Sequence, residues 1–161
     1  MNHFIIKLIF SNSPLRIQRG FENKFEIEVF HLYIGENVME STVYKKMRLK
    51  EGTTGIYLYA PEEYITMAIS QEVVDFSKKD KYGFVHLFVN SKRDYYDRIE
   101  EAIGNLSEVG VLWISYPKSD RKNKYDINRD ILFATTPEHG FIACSSVALN
   151  ETWAAMRFKR I

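Results

Sequence analysis

One cysteine in 161 residues leaves no intramolecular disulfide framework to read. Four histidines beside that single cysteine also exclude a zinc ribbon or finger. Charge of one sign is lacking as well. The 22 Lys and Arg face 21 Asp and Glu, for a net charge of +1, so a general polyanion binder is not expected, although a local basic patch fits that balance. No apolar run reaches the roughly 18 residues of a membrane-spanning helix, and no membrane partner is expected. What the chain does have is apolar content, with 45% hydrophobic and 14% aromatic residues. This length suits one domain that buries about 70% of its unfolded surface, so stability requires neither metal nor disulfide. The expectation is a soluble, cytoplasmic, globular α/β domain.

Residues 1–38 read differently from residues 39–161. Phe4–Phe10 is apolar apart from Lys7, and Phe25/Ile27/Val29 alternate with Glu26/Glu28 as in a half-buried strand. A signal peptide is a poor match, because Lys7 interrupts the apolar run and no small-residue cleavage site follows. Two readings stand. One is a genuine β extension. The other starts from the many residues here with A- and T-rich codons, and from Gly35-Glu36-Asn37-Val38-Met39, which a purine-rich ribosome-binding sequence before a start codon would encode. In that case translation begins at Met39.

From residue 39 the pattern alternates. A short helix is expected over 41–52, stopped by Gly52, then a strand over 55–59 and a helix from Pro61 to about Ser70. A weak strand follows at 72–76, and Tyr82–Val89 is the strongest strand, apolar on both faces. Ser91 and Asp94 mark the start of the next helix, whose stripe is Tyr95, Ile99, Ala102, Ile103 and Leu106. Gly110 leads into the strand 111–116, and a helix over 128–136 precedes two strands, 141–149 and 153–159. Asn150-Glu151-Thr152 is so short a link that the last two strands form an antiparallel hairpin. No repeat, low-complexity segment or linker divides residues 39–161. The fold class is α/β: a three-layer, Rossmann-like, mostly parallel sheet closed by a C-terminal antiparallel hairpin. In that closing hairpin it is similar to class I methyltransferases, a likeness of fold and not of activity.

A dinucleotide or S-adenosylmethionine site of the usual kind needs glycines after the first strand. Here that turn is Tyr59-Ala60-Pro61-Glu62-Glu63. At about 5 Å, each carboxylate would repel a ligand anion by roughly 1–3 kcal/mol. No cofactor is therefore expected. His86 reads as a core or edge histidine inside its strand, and His139 beside Glu138 as the better catalytic candidate. Ser115, Ser145 and Ser146 lack a nucleophile elbow, and Cys144 reads as a small buried residue. Catalytic residues stay unassigned, and the balance leans away from an enzyme. Lys118, Arg121, Lys122, Lys124 and Arg129 cluster after a probable central strand, where open α/β sheets bind ligands. With the helix starting near Asn128, this loop is either a solvated loop or a site for a phosphate or carboxylate. Lys118 and Glu151 both sit at strand ends, and an ion pair or shared ligand site is expected there. A further reading comes from Tyr82-Gly83-Phe84-Val85 and Ile56-Tyr57-Leu58, which match parts of the RNA-recognition motif signatures.

Trp113-Ile114-Ser115-Tyr116-Pro117-Lys118, then Asp126-Ile127-Asn128, then Asn150-Glu151-Thr152-Trp153 with Arg157-Phe158, resembles a bacterial family of small Rossmann-like proteins. That family is known only as a domain of unknown function, and the resemblance covers residues 46–161. Its members share W-[IV]-[SA]-[WY]-P-K and D-E-x-W-S-G-L-[RK]-F motifs. This chain departs at Asn150, at Ala154-Ala155 and at Glu63, which weakens any acid–base role for the hairpin turn. The resemblance implies a fold and no established activity. Three functions remain: a binding or regulatory module with a small-ligand or protein partner; a degenerate enzyme or binder of a small anion through Lys118, Arg121, Asn128 and Glu151; and RNA binding through Tyr57, Tyr82 and Phe84.

Overall fold

The computed structural model describes residues 42–161. The readings of residues 1–38, as a β extension or a translated leader, lie outside the described residues. The described elements run α1 (Val43–Lys46), β1 (Thr53–Leu58), α2 (Glu62–Gln71), β2 (Val74–Asp75), β3 (Tyr82–Phe88), α3 (Lys92–Asn105), β4 (Leu106–Pro117), α4 (Arg129–Thr135), a 3-10 turn (Thr136–His139), β5 (Phe141–Ala148) and β6 (Trp153–Arg160). None of the described helices is long and apolar enough to cross a membrane.

The six described strands form one sheet in the order β2-β1-β3-β4-β6-β5. The pairs β1/β2, β1/β3 and β3/β4 are parallel. The pairs β4/β6 and β5/β6 are antiparallel, so the hairpin expected from Asn150–Thr152 closes the sheet. Within it, Asn150 Oδ1 accepts from the backbone N–H of Thr152 and Trp153 at 2.9 and 2.7 Å, an Asx turn that fixes the connection.

Both faces of the sheet are covered. On one, Ile56, Val85, Leu87, Leu112, Ile114 and Phe158 pack against Tyr95, Ile99 and Ala102 of α3 and Leu132 of α4. On the other, Tyr57, Phe84, Phe88, Trp113 and Trp153 pack against Tyr44 of α1 and Tyr64, Ile65 and Met67 of α2. The expected three-layer α/β sheet is what forms. The same layering overturns the RNA reading. Tyr57, Tyr82 and Phe84 are buried under helices or between strands, with Phe84 fully inaccessible, so no base can stack on them.

Local departures have local causes. The helix expected over 41–52 is one turn long, because Arg48 and Gly52 both adopt left-handed backbone conformations that a helix cannot contain. β4 begins at Leu106 rather than 111, following α3 with no intervening loop. Gly110 lies inside that strand as a close-approach glycine: a Cβ there would sit 2.9 Å from the Tyr82 carbonyl oxygen. No helix separates β2 from β3. β2 is two residues long and pairs only with Thr53 and Thr54 at the start of β1, so six residues carry the chain past β1 to Tyr82. The distance is about two strand spacings, well within their reach.

Candidate functional site

The parallel strands β1, β3 and β4 end at Leu58, Phe88 and Pro117. β1 leads through α2 on one face and β3 through α3 on the other, so the crevice between β1 and β3 is the topological switch point, where open sheets take ligands. Here the chain fills it with its own side chains. Tyr59 takes a left-handed conformation, φ 58°, and turns its ring beneath Arg98, whose Cζ lies 4.1 Å from the ring centroid. The Tyr59 hydroxyl donates to Glu101 Oε2 at 2.8 Å. Arg98 donates from Nη1 to the Phe88 carbonyl at 3.1 Å and pairs through Nη2 with Asp94 Oδ1 at 3.0 Å. The strain of a non-glycine residue in this conformation, about 1–3 kcal/mol, is offset by these contacts.

Anion positions nearby are also taken. Ser91 caps α3 by accepting from Asp94 N at 3.0 Å, while Asp94 Oδ2 accepts from Asn90 N at 2.9 Å. Asp126 Oδ1 accepts from Lys92 N at 3.0 Å, placing a carboxylate of the protein at the start of α3. Glu62 and Glu63 occupy the first turn of α2. Glu62 and Glu63 do not fit an anionic ligand group at the loop after β1, and at the start of α3 the backbone N–H groups of Asn90 and Lys92 already meet the carboxylates of Asp94 and Asp126.

The residues expected to bind a ligand sit at the carboxyl end of β4. Lys118 N donates to the Thr152 carbonyl at 2.8 Å, so the strand end and the hairpin turn carrying Glu151 do share one edge. No ion pair joins Lys118 to Glu151 among the described residues. Arg121 is exposed on the tip of the following loop. Asp120 folds that loop on itself, its Oδ1 accepting from Lys122 N and Asn123 N at 2.7 and 2.6 Å, and these bonds hold its carboxyl below the usual carboxylate range. Asn128 is the N-cap of α4 and accepts from Ile131 N at 3.0 Å. Its position is thus structural first.

A polar chain crosses the core beneath α2. His86 Nδ1 lies 2.8 Å from Tyr64 Oη, His86 Nε2 lies 2.6 Å from Ser115 Oγ, and Tyr64 Oη lies 2.9 Å from Tyr44 Oη. All four side chains are at most 1% exposed. Burial drives the His86 pKa down to about 3, so the imidazole is neutral, and burial raises both tyrosines. A Ser–His contact of this length suggests a nucleophile and base, yet both groups are fully buried and Tyr64 stands where a triad has a carboxylate. It is a satisfied core network, as His86 alone suggested. The sequence shows His86 but not its partners, because Tyr64 and Ser115 come from other elements.

His139 bonds Glu100 Oε1 through Nδ1 at 2.9 Å, and no nucleophile accompanies it among its described contacts. Cys144 corrects its expectation: it is exposed. β5 is the outermost strand of the described sheet, and its register slips between Ala143 and Ser145, leaving Cys144 unpaired in a bulge. Among the described residues no cluster of His, Cys, Asp or Glu has the arrangement of a metal site.

A family model described as "Protein of unknown function (DUF3052)" matches residues 60–160. The chain belongs to the DUF3052 family. The DUF3052 match runs from the turn after β1 to the end of β6, and so includes Arg98 and Glu101 of the crevice, the Lys118 loop and the Asn150 turn, while β1 and Tyr59 precede it. No curated protein matches the sequence. Several solved structures resemble the DUF3052 chain at low identity. A SAM-dependent methyltransferase from Aquifex aeolicus shares 11% identity over 86% of this chain and 99% of that one, with a TM-score of 0.47. SAM-dependent methyltransferases from Geobacter sulfurreducens and Thiobacillus denitrificans, each in complex with S-adenosyl-L-homocysteine, give 10% and 8% identity, both with TM-scores of 0.49. They cover 84% and 89% of this chain, and 98% and 100% of theirs.

Proposed function

We propose that this DUF3052 domain is a cytoplasmic binding or regulatory module that takes a small anionic ligand at the carboxyl edge of β4. The single observation that carries the reading is the 2.8 Å bond from Lys118 N to the Thr152 carbonyl, which joins a cationic loop to the hairpin turn. Both acids of that loop are turned onto backbone N–H groups, Asp120 within the loop and Asp126 on α3. Lys118 and Arg121 hold the anionic group, Asn128 adds donors from the amide nitrogen its capping role leaves over, and Glu151 accepts from a hydroxyl or ammonium of the same ligand. The filled switch-point crevice supports a site displaced toward β4 over one built on a nucleotide cofactor. Titration of inorganic phosphate or citrate against chloride at matched ionic strength tests it. The expected result is a saturable rise in melting temperature, about 2.7 kcal/mol of added stability at 100 times the dissociation constant, with shifts of the amides of 118–123. Loss of both in Lys118→Ala/Arg121→Ala supports the site. Unchanged binding in that variant overturns it.

A further inference from the structure

A second basic surface lies on the other side of the strand edge, away from the carboxyl end. Pairing registers place His86, Trp113, Arg157 and Ser145 in one row across β3, β4, β6 and β5. Neighbours in such a row point to the same face, here the face covered by α1 and α2. Ser145 joins that row only because of the bulge at Cys144. Ala143 pairs with Phe158 on the α3 face, and without the extra residue Ser145 would follow it there. Beyond the cover of α1 the row opens into a cleft of about 280 Å³, lined by Arg48, Trp113, Ser145, Ser146 and Arg157 among others.

Three features of the lining converge. No Asp or Glu is among its described residues. Arg157 is half-buried, Arg48 is exposed, and neither has a carboxylate partner among the described residues. Trp113 is 1% exposed, and its indole N–H is buried with no acceptor among the described residues. A buried donor left unmet is rare in native structures. An oxyanion supplies acceptors for indole, hydroxyl and guanidinium donors together, and the planar guanidinium suits carboxylate and phosphate alike.

We propose that this cleft binds a small organic anion through a phosphate or carboxylate group, held by Arg157 and Arg48 with Ser145, Ser146 and the Trp113 indole as neutral donors. The site is separate from the Lys118 edge and does not depend on it. The test is a ¹H–¹⁵N titration of the full chain with inorganic phosphate in one arm and citrate in the other, each against chloride at matched ionic strength. The chain has two tryptophans, so Trp153→Phe assigns the two indole signals. A saturable shift of the Trp113 indole signal is expected, and the arm that produces it names the headgroup. Arg157→Gln weakens that binding at least tenfold while leaving the responses of 118–123 as they were. Arg48→Gln, on an exposed turn outside the sheet, weakens it too and serves if Arg157→Gln fails to fold. No saturable indole shift in either arm, or one that both arginine variants leave unchanged, overturns the proposal.

Discussion

Tyr64 makes two hydrogen bonds with one hydroxyl, to Tyr44 and to His86, and that position in the middle of the chain sets its worth. Tyr64→Phe leaves the Tyr44 hydroxyl and His86 Nδ1 both unmet, whereas after Tyr44→Phe the Tyr64 hydroxyl keeps its bond to His86. Each buried group left unmet costs about 1–3 kcal/mol, so denaturant unfolding of Tyr64→Phe is expected to show a clearly larger loss than that of Tyr44→Phe. Equal losses would mean that the hydroxyls are not coupled. His86 makes a pH prediction. Its folded pKa of about 3 lies below the ordinary 6.5, so the unfolded chain takes up the proton first as pH falls. The neutral state costs nothing above pH 6.5, and stability drains away between there and pH 3. Between pH 7 and pH 5 the native chain loses about 2 kcal/mol through this group. His86→Asn, compared with the native chain by urea unfolding at both pH values, should show a pH dependence shallower by that amount. At this scale the sequence reveals which residues are polar and inside, as with His86 in an apolar strand. It does not reveal which meet: the partners lie 22 and 29 residues away.

Asn128 and Gly55 are best weighed as parts of elements. Asn128→Ala removes the cap of α4 and is expected to cost about 1 kcal/mol in thermal unfolding, with Asn128→Ser retaining most of it. That stability loss is independent of ligand, which separates capping from binding. Gly55 lies on β1 between its two parallel neighbours. A Cβ there would meet Val74 Cγ1 at 2.6 Å and Phe84 Cδ1 at 2.7 Å, so Gly55→Ala is expected to lose about 1–3 kcal/mol on urea unfolding. Elements with their own punctuation were legible. Pro61 opens α2, Ser91 caps α3, and Asn150–Thr152 closes the hairpin, each by a local bond or a fixed φ. Boundaries that depend on distant contacts were not. Gly110 reads as the start of a strand, yet its smallness serves an approach to Tyr82 from the next strand. Cys144 reads as buried by its apolar neighbours, and a bulge visible only in the pairing turns it outward. The Lys118 edge was legible because both its parts are strand ends. The Trp113–Arg157–Ser145 row was not, since three strands in register create it.

At the scale of the whole molecule, β6 links the parallel and antiparallel halves. It lies between β4 and β5 and puts Phe158 and Met156 in one core and Trp153 and Ala155 in the other. Trp153→Ala is expected to cost about 3–5 kcal/mol by denaturant unfolding, toward the upper end if the space left between Phe88 and α2 does not collapse. The order of strands in the sheet differs from their order in the chain, and this has a temporal consequence. While the protein is being synthesised, β1 to β4 can pair as they emerge, but the flank of β4 has no partner until residues 153–160 follow. During that interval an apolar strand edge is open to any other nascent chain. The ribosome thus imposes a waiting period on this sheet, and a slower translation rate through codons 106–160 would lengthen the time in which aggregation competes with closure.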